Sequence, residues 1–300
     1  MSLGLKKGDR VSILSQNSIE FLSLFFACGR VGLVAHALNW RLGVEELSQI
    51  IKNGEPSVMI TQGKFQSVAK DLQNKIDFID HWLEYDVDSD HTFDLLLDQS
   101  PSTEPIIAKE IGDEDPFFIL YTGGTTGVSK GALHTHKSAY FGMLNQTVAE
   151  RIVPSDVYML TGQMFHIPVL LAMNYTSHGC PIVLMNFDAE LALNLIQEEK
   201  VSGFLGITTM LNWMLAVEGF DNYDLSSLRC VQYGGGPMPT RVIEEVLKKL
   251  PGGIIQGYGQ TEGTTMTFLS QEDHVNALNG IHPERLKSVS YTHLTLPTKA

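Results

Sequence analysis

Residues Tyr121–Ala132 read Tyr-Thr-Gly-Gly-Thr-Thr-Gly-Val-Ser-Lys-Gly-Ala. Gly123, Gly124 and Gly127 open backbone conformations closed to other residues and allow close approach to a ligand. Thr122, Thr125 and Thr126 add hydroxyls, Ser129 can add another, and Lys130 adds a positive charge. Main-chain N–H groups, hydroxyls and one lysine are suited to a polyphosphate. A plain glycine turn between a strand and a helix is the competing reading, but such a turn needs neither the threonines nor the lysine. The run is not a Walker A loop, which ends Gly-Lys-Ser/Thr, because Lys130 stands between Ser129 and Gly131.

Further glycine-rich segments lie downstream: Gly234-Gly235-Gly236-Pro237, and Gly257-Tyr258-Gly259-Gln260-Thr261-Glu262-Gly263. Glycines in the first would let a flat base lie against backbone, and the Tyr258 ring could stack on it. Thr261 offers a hydroxyl to a phosphate. Glu262 offers a carboxylate oxygen, a hard ligand for Mg²⁺ beside nucleotide phosphates. Alone, the second segment could also be a turn before a helix.

Together these segments resemble the adenylate-forming enzymes: acyl-CoA synthetases, luciferases and peptide-synthetase adenylation domains. Their phosphate loop reads Thr/Ser-Ser/Gly-Gly-Ser/Thr-Thr-Gly-x-Pro-Lys-Gly, and this chain departs by placing Ser129 at the proline. Without that proline the loop loses a fixed φ and gains a donor, which implies tuning rather than loss of binding. The resemblance assigns Tyr258, Gly259, Thr261 and Glu262 to the family's Tyr-Gly-x-Thr-Glu motif, and Gln256 and Gly257 to the border of an acyl-adenylate. It implies Lys130, Thr261, Glu262 and His166 as the catalytic set and Glu262 as the metal ligand. His166 resembles the residue that stands by the acyl substrate and shifts when CoA arrives; a core histidine beside Phe165 is the alternative. The substrates implied are ATP, a small-molecule carboxylic acid and CoA, with Mg²⁺, in a ligase that forms acyl-AMP and then a thioester. Asn39-Trp40-Arg41-Leu42 looks most like fatty-acyl or aryl-acid CoA ligases. A nucleotide-binding module without turnover and a domain that loads a carrier protein remain open alternatives.

These segments need elements to hold them. Ser18 can cap a helix carrying Ile19, Phe21, Leu22 and Phe25. Gly32–Leu38 and Ser57–Thr61 read as strands, with a helix over Glu45–Lys52 between them. Beyond the phosphate loop, Thr135 can cap a helix over His136–Arg151. Strand-like Val157–Thr161, Pro181–Met185 and Gly203–Ile207 alternate with helical Val169–Ser177, Ala189–Lys200 and Thr209–Val217. Strands Cys230–Tyr233 and Ile254–Gln256 flank a helix over Thr240–Leu250. This alternation predicts an α/β fold of doubly wound, mostly parallel sheets covered by helices, with the glycine-rich segments at the strands' carboxyl ends. Lys64–Glu110 reads as a solvated connection with short strands and a helix.

The chain is 43% apolar with a formal net charge of −13. That acidity argues against nucleic-acid binding, which needs a basic footprint. Cys28, Cys180 and Cys230 are far apart and show no metal spacing, which implies a reduced, cytoplasmic setting. His134 and His136 form a His-x-His pair with no further ligands nearby, too few for a metal site. Phe21–Leu38 is apolar, but Arg30 and His36 within it favour a buried helix and strand over a membrane span, and no signal peptide is visible. Nothing bears on oligomeric state. Residues 1–288 are expected to be the large AMP-binding N-terminal domain, clipped at both ends. The family's small C-terminal domain, ribose-binding Asp and adenylation Lys are expected further on, so the chain itself is expected to turn over poorly. Val289–Thr298 alternates like a strand but resembles a translated sequencing adapter, and residues 289–300 are read as a non-native tail.

Overall fold

The computed structural model describes residues 3–87, 92–105, 110–122, 129–236 and 238–287. It divides into two compact units, Met1–Tyr140 with Gln163–Val169, and Phe141–Gly162 with Leu170–Ala300. Each carries a six-stranded sheet, which is the doubly wound α/β class expected.

In the first unit, β1 (Arg10–Leu14), α1 (Ile19–Val31), β2 (Val34–Leu38), α2 (Val44–Gly54) and β3 (Val58–Gln62) alternate. Ser18 starts α1 by accepting the Phe21 N–H on its Oγ at 3.1 Å, which satisfies an orphan donor of the first turn. Gly32 ends the helix at φ 75°, in the left-handed region. β2 is buried along its length, so Val-Ala-His-Ala-Leu reads as a continuous apolar run rather than an alternation. His36 within it lies 2.6 Å from Ser12 Oγ through Nδ1. Burial, and then the Arg10 charge, push its pKa down to about 3, so it is a neutral core residue.

The region after β3 corrects the sequence expectation in part. It holds α3 (Gln66–Gln73), β4 (His81–Tyr85) and α4 (Thr92–Gln99). β4 belongs to the sheet, paired parallel with β3 from His81–Val58 to Tyr85–Gln62. It is an edge strand and mostly half-buried, so it leaves a faint hydrophobic trace. β5 (Pro116–Thr122) runs parallel to β2. β6 (Lys130–Thr135) then pairs antiparallel with β5, giving the order β4-β3-β1-β2-β5-β6.

β6 corrects a second expectation. The sequence reading has no strand between the phosphate-loop segment and the helix over His136–Arg151, whereas β5 and β6 pair antiparallel on either side of that segment. Lys130-Gly131-Ala132 has no β-branched residue and sits on an exposed edge, so its strand character comes from pairing rather than propensity. α5 (His136–Glu150) follows. Thr135 caps it, its Oγ1 accepting the Ser138 N–H at 3.2 Å. His134 and His136 stack on Phe118 and Phe117, with ring centroids 4.6 and 4.8 Å apart.

The second unit contains β7 (Tyr158–Leu160), α6 (Pro168–Ser177), β8 (Ile182–Leu184), α7 (Ala189–Glu198), β9 (Gly203–Leu205) and α8 (Thr208–Leu215). β10 (Cys230–Gly234), α9 (Thr240–Lys249), β11 (Ile254–Gln260), β12 (Thr264–Leu269) and α10 (Gln271–Leu278) complete it. The order is β12-β11-β10-β9-β7-β8, parallel except for the β11–β12 hairpin. Leu193, Ile196 and Val246 from the helices pack on Phe204, Val231 and Ile254 from the strands. Each such side chain contributes roughly 1.5–3 kcal/mol by burial.

A polar cluster is set into the same unit. Glu150, the last residue of α5, is buried. Its Oε2 accepts the Tyr175 hydroxyl at 2.9 Å and Gln146 Nε2 at 3.2 Å. Tyr175 stacks on Tyr158 at 4.2 Å, and Tyr158 donates to Gln232 Oε1 at 3.1 Å. Burial pushes the Glu150 carboxyl up to about 7, against those hydrogen bonds. Cys28, Cys180 and Cys230 are buried free thiols. Among the described residues, no helix is long and apolar enough to cross a membrane.

Candidate active site

In the first unit the phosphate-loop segment is framed by β5 and β6. Thr122 and Lys130 are register partners, and Thr122 Oγ1 reaches the Lys130 carbonyl at 3.4 Å. Gly131 is required next to them, because a Cβ there would lie 2.9 Å from the Tyr121 ring and 3.0 Å from Ile119 Cγ2. Tyr121 is itself fixed, its hydroxyl donating to Asn53 Oδ1 at 2.5 Å. Lys130 is exposed and has no carboxylate partner among the described residues. Gly123, Gly124, Thr125, Thr126 and Gly127 lie outside the described residues, as do Pro237 and the 289–300 tail.

His166 belongs to the same unit. Its segment is anchored by Trp40 Nε1 donating to Gln163 Oε1 at 2.9 Å and by the Met164 N–H donating to Asn17 Oδ1 at 2.9 Å. Phe165 is buried while His166 is exposed beside it, the two rings edge-on at 4.6 Å. Partial desolvation, and then the Arg41 charge, lower the His166 pKa. The Arg41 guanidinium lies 4.9 Å from the Trp40 ring centroid and 5.8 Å from that of Phe165, a cation–π arrangement. Sequence reasoning noted Trp40 and Arg41 only as a family signature. The edge-on contact of Trp40 and the cation–π contact of Arg41 with Phe165 link positions far apart in the chain and leave no periodic trace.

In the second unit, β10 and β11 run side by side and bring Gly234 opposite Gly257. The approach is closer than any side chain permits, since a Cβ on Gly234 would sit 2.4 Å from the Gly257 carbonyl oxygen. Gly235 follows at φ 74°, and among the described residues nothing lies within 4 Å of a Cβ at Gly236. β11 does not stop at Gln256 as expected. It continues to Gln260, through a bulge between Tyr258 and Gly259, and turns back into β12. Glycine-rich sequence concealed this second strand half; its neighbour β12 supplies the hydrogen bonds.

The structure therefore gathers Gly234, Gly235, Gly236, Gln256, Gly257, Tyr258, Thr261 and Glu262 in one unit, around the end of β10 and the β11–β12 hairpin. Gln256 is buried in the sheet, Tyr258 is half-buried, and Glu262 is exposed on the turn. Tyr258 OH accepts Gln260 Nε2 at 2.9 Å. Glu262 has no ion pair among the described residues, and these contain no cluster of His, Cys, Asp and Glu able to hold a metal unaided. One free carboxylate with a neighbouring hydroxyl fits Mg²⁺ that brings most of its oxygen ligands as phosphate and water.

Sequence reasoning missed what supports the turn. Thr264 is buried at φ 56°, an unusual conformation for a β-branched residue. It sits against Gly142 of α5, where a Cβ would lie 2.1 Å from Thr264 Oγ1. A lone glycine inside a helical pattern was the available signal. Gly142→Ala is expected to destabilise the chain by about 1–2 kcal/mol, overpacking outweighing the gain in helix propensity. Urea unfolding of the variant checks this, and a stabilised variant would contradict it.

Two α/β units, one with a glycine-rich strand end beside a turn that bears a hydroxyl and a carboxylate, have the architecture in which ligands bind beyond the strands' carboxyl ends. The chain belongs to the AMP-binding enzyme family, which it matches over residues 1–288. It is 32% identical over 278 residues to the long-chain-fatty-acid–CoA ligase FadD13 of Mycobacterium tuberculosis, covering 91% of this chain and 54% of that protein. It is 29% identical over 293 residues to 2-succinylbenzoate–CoA ligase of Oceanobacillus iheyensis, covering 95% and 57%. The chain thus spans little more than half the length of these curated relatives. The N-terminal domain of FACL13 from Mycobacterium tuberculosis superposes with a TM-score of 0.84 at 31% identity, covering 93% of this chain and 69% of that one.

Proposed function

We propose that residues 1–288 form the large nucleotide-binding part of an AMP-forming acid–CoA ligase acting in the cytoplasm. The observation that carries this reading is the Gly234–Gly257 approach, followed by the turn that bears Thr261 and Glu262. The acid is a fatty or aryl carboxylate, the classes in the names of the relatives. In the first step a carboxylate oxygen attacks the α-phosphorus of ATP, and the bond to the pyrophosphate oxygen breaks. In the second, the CoA sulfur attacks the acyl carbon of acyl-AMP and AMP leaves, giving the thioester of fatty-acid metabolism.

Each proposed role follows from residue chemistry. Thr122, Gly123, Gly124, Thr125, Thr126 and Gly127 present hydroxyls and N–H groups to the phosphates, and Lys130 offsets charge on the departing pyrophosphate. Gly234, Gly235, Gly236, Pro237 and Tyr258 hold the base, and Gln256 and Gly257 border the acyl-adenylate. Thr261 donates to a phosphate oxygen. Glu262 would hold the Mg²⁺ that accompanies the nucleotide, which when bound supplies further neutralisation of phosphate charge. His166, held off protonation beside Arg41, stands at the acyl end as an uncharged imidazole. Holding the reactants in line is the main contribution of such a site.

The test compares ATP with AMP. Lys130→Ala is expected to weaken ATP binding about tenfold, roughly 1.4 kcal/mol, and AMP binding far less. Equal losses for both nucleotides would remove Lys130 from the pyrophosphate end. The 300-residue chain is expected to bind ATP without sustaining ATP–pyrophosphate exchange; robust exchange would contradict the second half of that expectation.

A further inference from the structure

β10 ends in Tyr233-Gly234, and Tyr233 is the last side chain before the glycine run. It is buried, and so is His274 on α10. The Tyr233 hydroxyl lies 2.8 Å from His274 Nε2. His274 Nδ1 lies 2.7 Å from the Ser270 carbonyl oxygen. A carbonyl can only accept, so Nδ1 carries the imidazole proton. Nε2 of the neutral ring must then accept, and the Tyr233 hydroxyl must donate. Burial pushes the tyrosine pKa up and the histidine pKa down, which keeps both in these states. The rings meet edge-on at 5.6 Å, so the hydroxyl is held by packing as well as by its acceptor.

Ser270 is itself fixed. It caps α10 by accepting the Asp273 N–H at 3.1 Å, while its own N–H donates to Asp273 Oδ2 at 3.2 Å. Arg285 Nη1 donates to Asp273 Oδ1 at 2.5 Å. A continuous hydrogen-bonded path therefore runs from the α10 cap, through His274, to the residue that precedes Gly234. On the other face of β10, Gln232 accepts the Tyr158 hydroxyl at 3.1 Å. The strand end is thus pinned from both sides where glycines leave it without side chains of its own.

We infer that His274 is a positioning residue for the nucleotide platform: by accepting the Tyr233 hydroxyl it fixes the end of β10, and with it the path of Gly234–Gly236 beside Gly257. This rests on the proposed nucleotide-binding role of that glycine segment. His274 touches no ligand in this account and acts only through Tyr233.

The test uses the 300-residue chain and AMP as the probe, titrated well below every melting temperature. His274→Leu and Tyr233→Phe are each expected to weaken AMP at least fivefold. His274→Gln, whose amide can donate to Ser270 and accept from Tyr233, is expected to stay within twofold of the parent. Ile196→Val, a core change on α7 that matches a modest loss of melting temperature, is expected to leave AMP affinity unchanged. The ¹⁵N spectrum of His274 is expected to show the Nδ1–H tautomer. Affinity that merely tracks melting temperature across the set, failure of His274→Gln to rescue, or an Nε2–H tautomer would each overturn the inference. Should the parent chain not bind AMP, the nucleotide reading fails, and the latch is judged on amide exchange at Gly234–Gly236. Faster exchange in His274→Leu but not in His274→Gln then supports it, and unchanged exchange in both overturns it.

Discussion

Replacing Glu150 by glutamine is expected to stabilise the chain by about 3 kcal/mol at pH 8 and by almost nothing at pH 4. The carboxyl is buried at the end of α5, where burial raises its pKa from 4.5 to about 7. The negative end of the helix dipole adds to the cost of a charge there. A raised pKa means that the folded state binds the proton more tightly than the unfolded state. Stability is therefore full below about pH 4.5, falls as pH rises through about 7, and is flat above that. Each pKa unit corresponds to about 1.4 kcal/mol, so a difference of this size is worth about 3 kcal/mol. Glutamine keeps the shape and can still accept from the Tyr175 hydroxyl, but it never ionises. Urea unfolding of both proteins at pH 4, 6 and 8 measures the gap. Parallel stability curves across that range would show that Glu150 is not protonated in the folded chain near neutrality.

Gly236→Val is expected to fold like the parent and to lose AMP affinity by at least about 100-fold, roughly 2.7 kcal/mol. Among the described residues, and apart from its chain neighbours, no heavy atom comes within 4 Å of a Cβ built at Gly236. A Cβ there meets none of those residues, so a side chain would take up the space beside the β10 end. Gly234→Ala is the contrasting case. Its Cβ would meet the Gly257 carbonyl oxygen at 2.4 Å, so pairing of β10 with β11 must shift, and stability falls along with binding. A Gly236→Val protein with unchanged melting temperature and unchanged AMP affinity would place the nucleotide elsewhere.

Much of this was legible in the sequence for identifiable physical reasons. Ser18 and Thr135 announce helix starts, and each side-chain oxygen accepts the expected N–H. β2 and β10 are central strands whose burial on both faces writes an apolar run. The strands that were missed, cut short or, like β4, left without bounds are β4, β6, β12 and the second half of β11, which include both edges of one sheet and one edge of the other. Edge strands bury little, and glycines in β6 and β11 remove what propensity remains, so pairing partners define them. The supporting residues were illegible for another reason. Glu150 with Tyr175, Tyr233 with His274, and Gly142 with Thr264 are separated by up to 122 positions. Each residue alone looks ordinary, and only the fold makes them neighbours.

The central claim is that this chain holds a nucleotide and an acyl group as one adenylate. Calorimetric titration of the 300-residue chain with a non-hydrolysable fatty-acyl sulfamoyl adenosine, set beside AMP, tests it most directly. The account predicts saturable one-to-one binding of both, with the acyl compound at least about tenfold tighter and both lost in Gly236→Val. A folded chain that takes up neither compound, or one that binds the acyl compound no better than AMP, would contradict it.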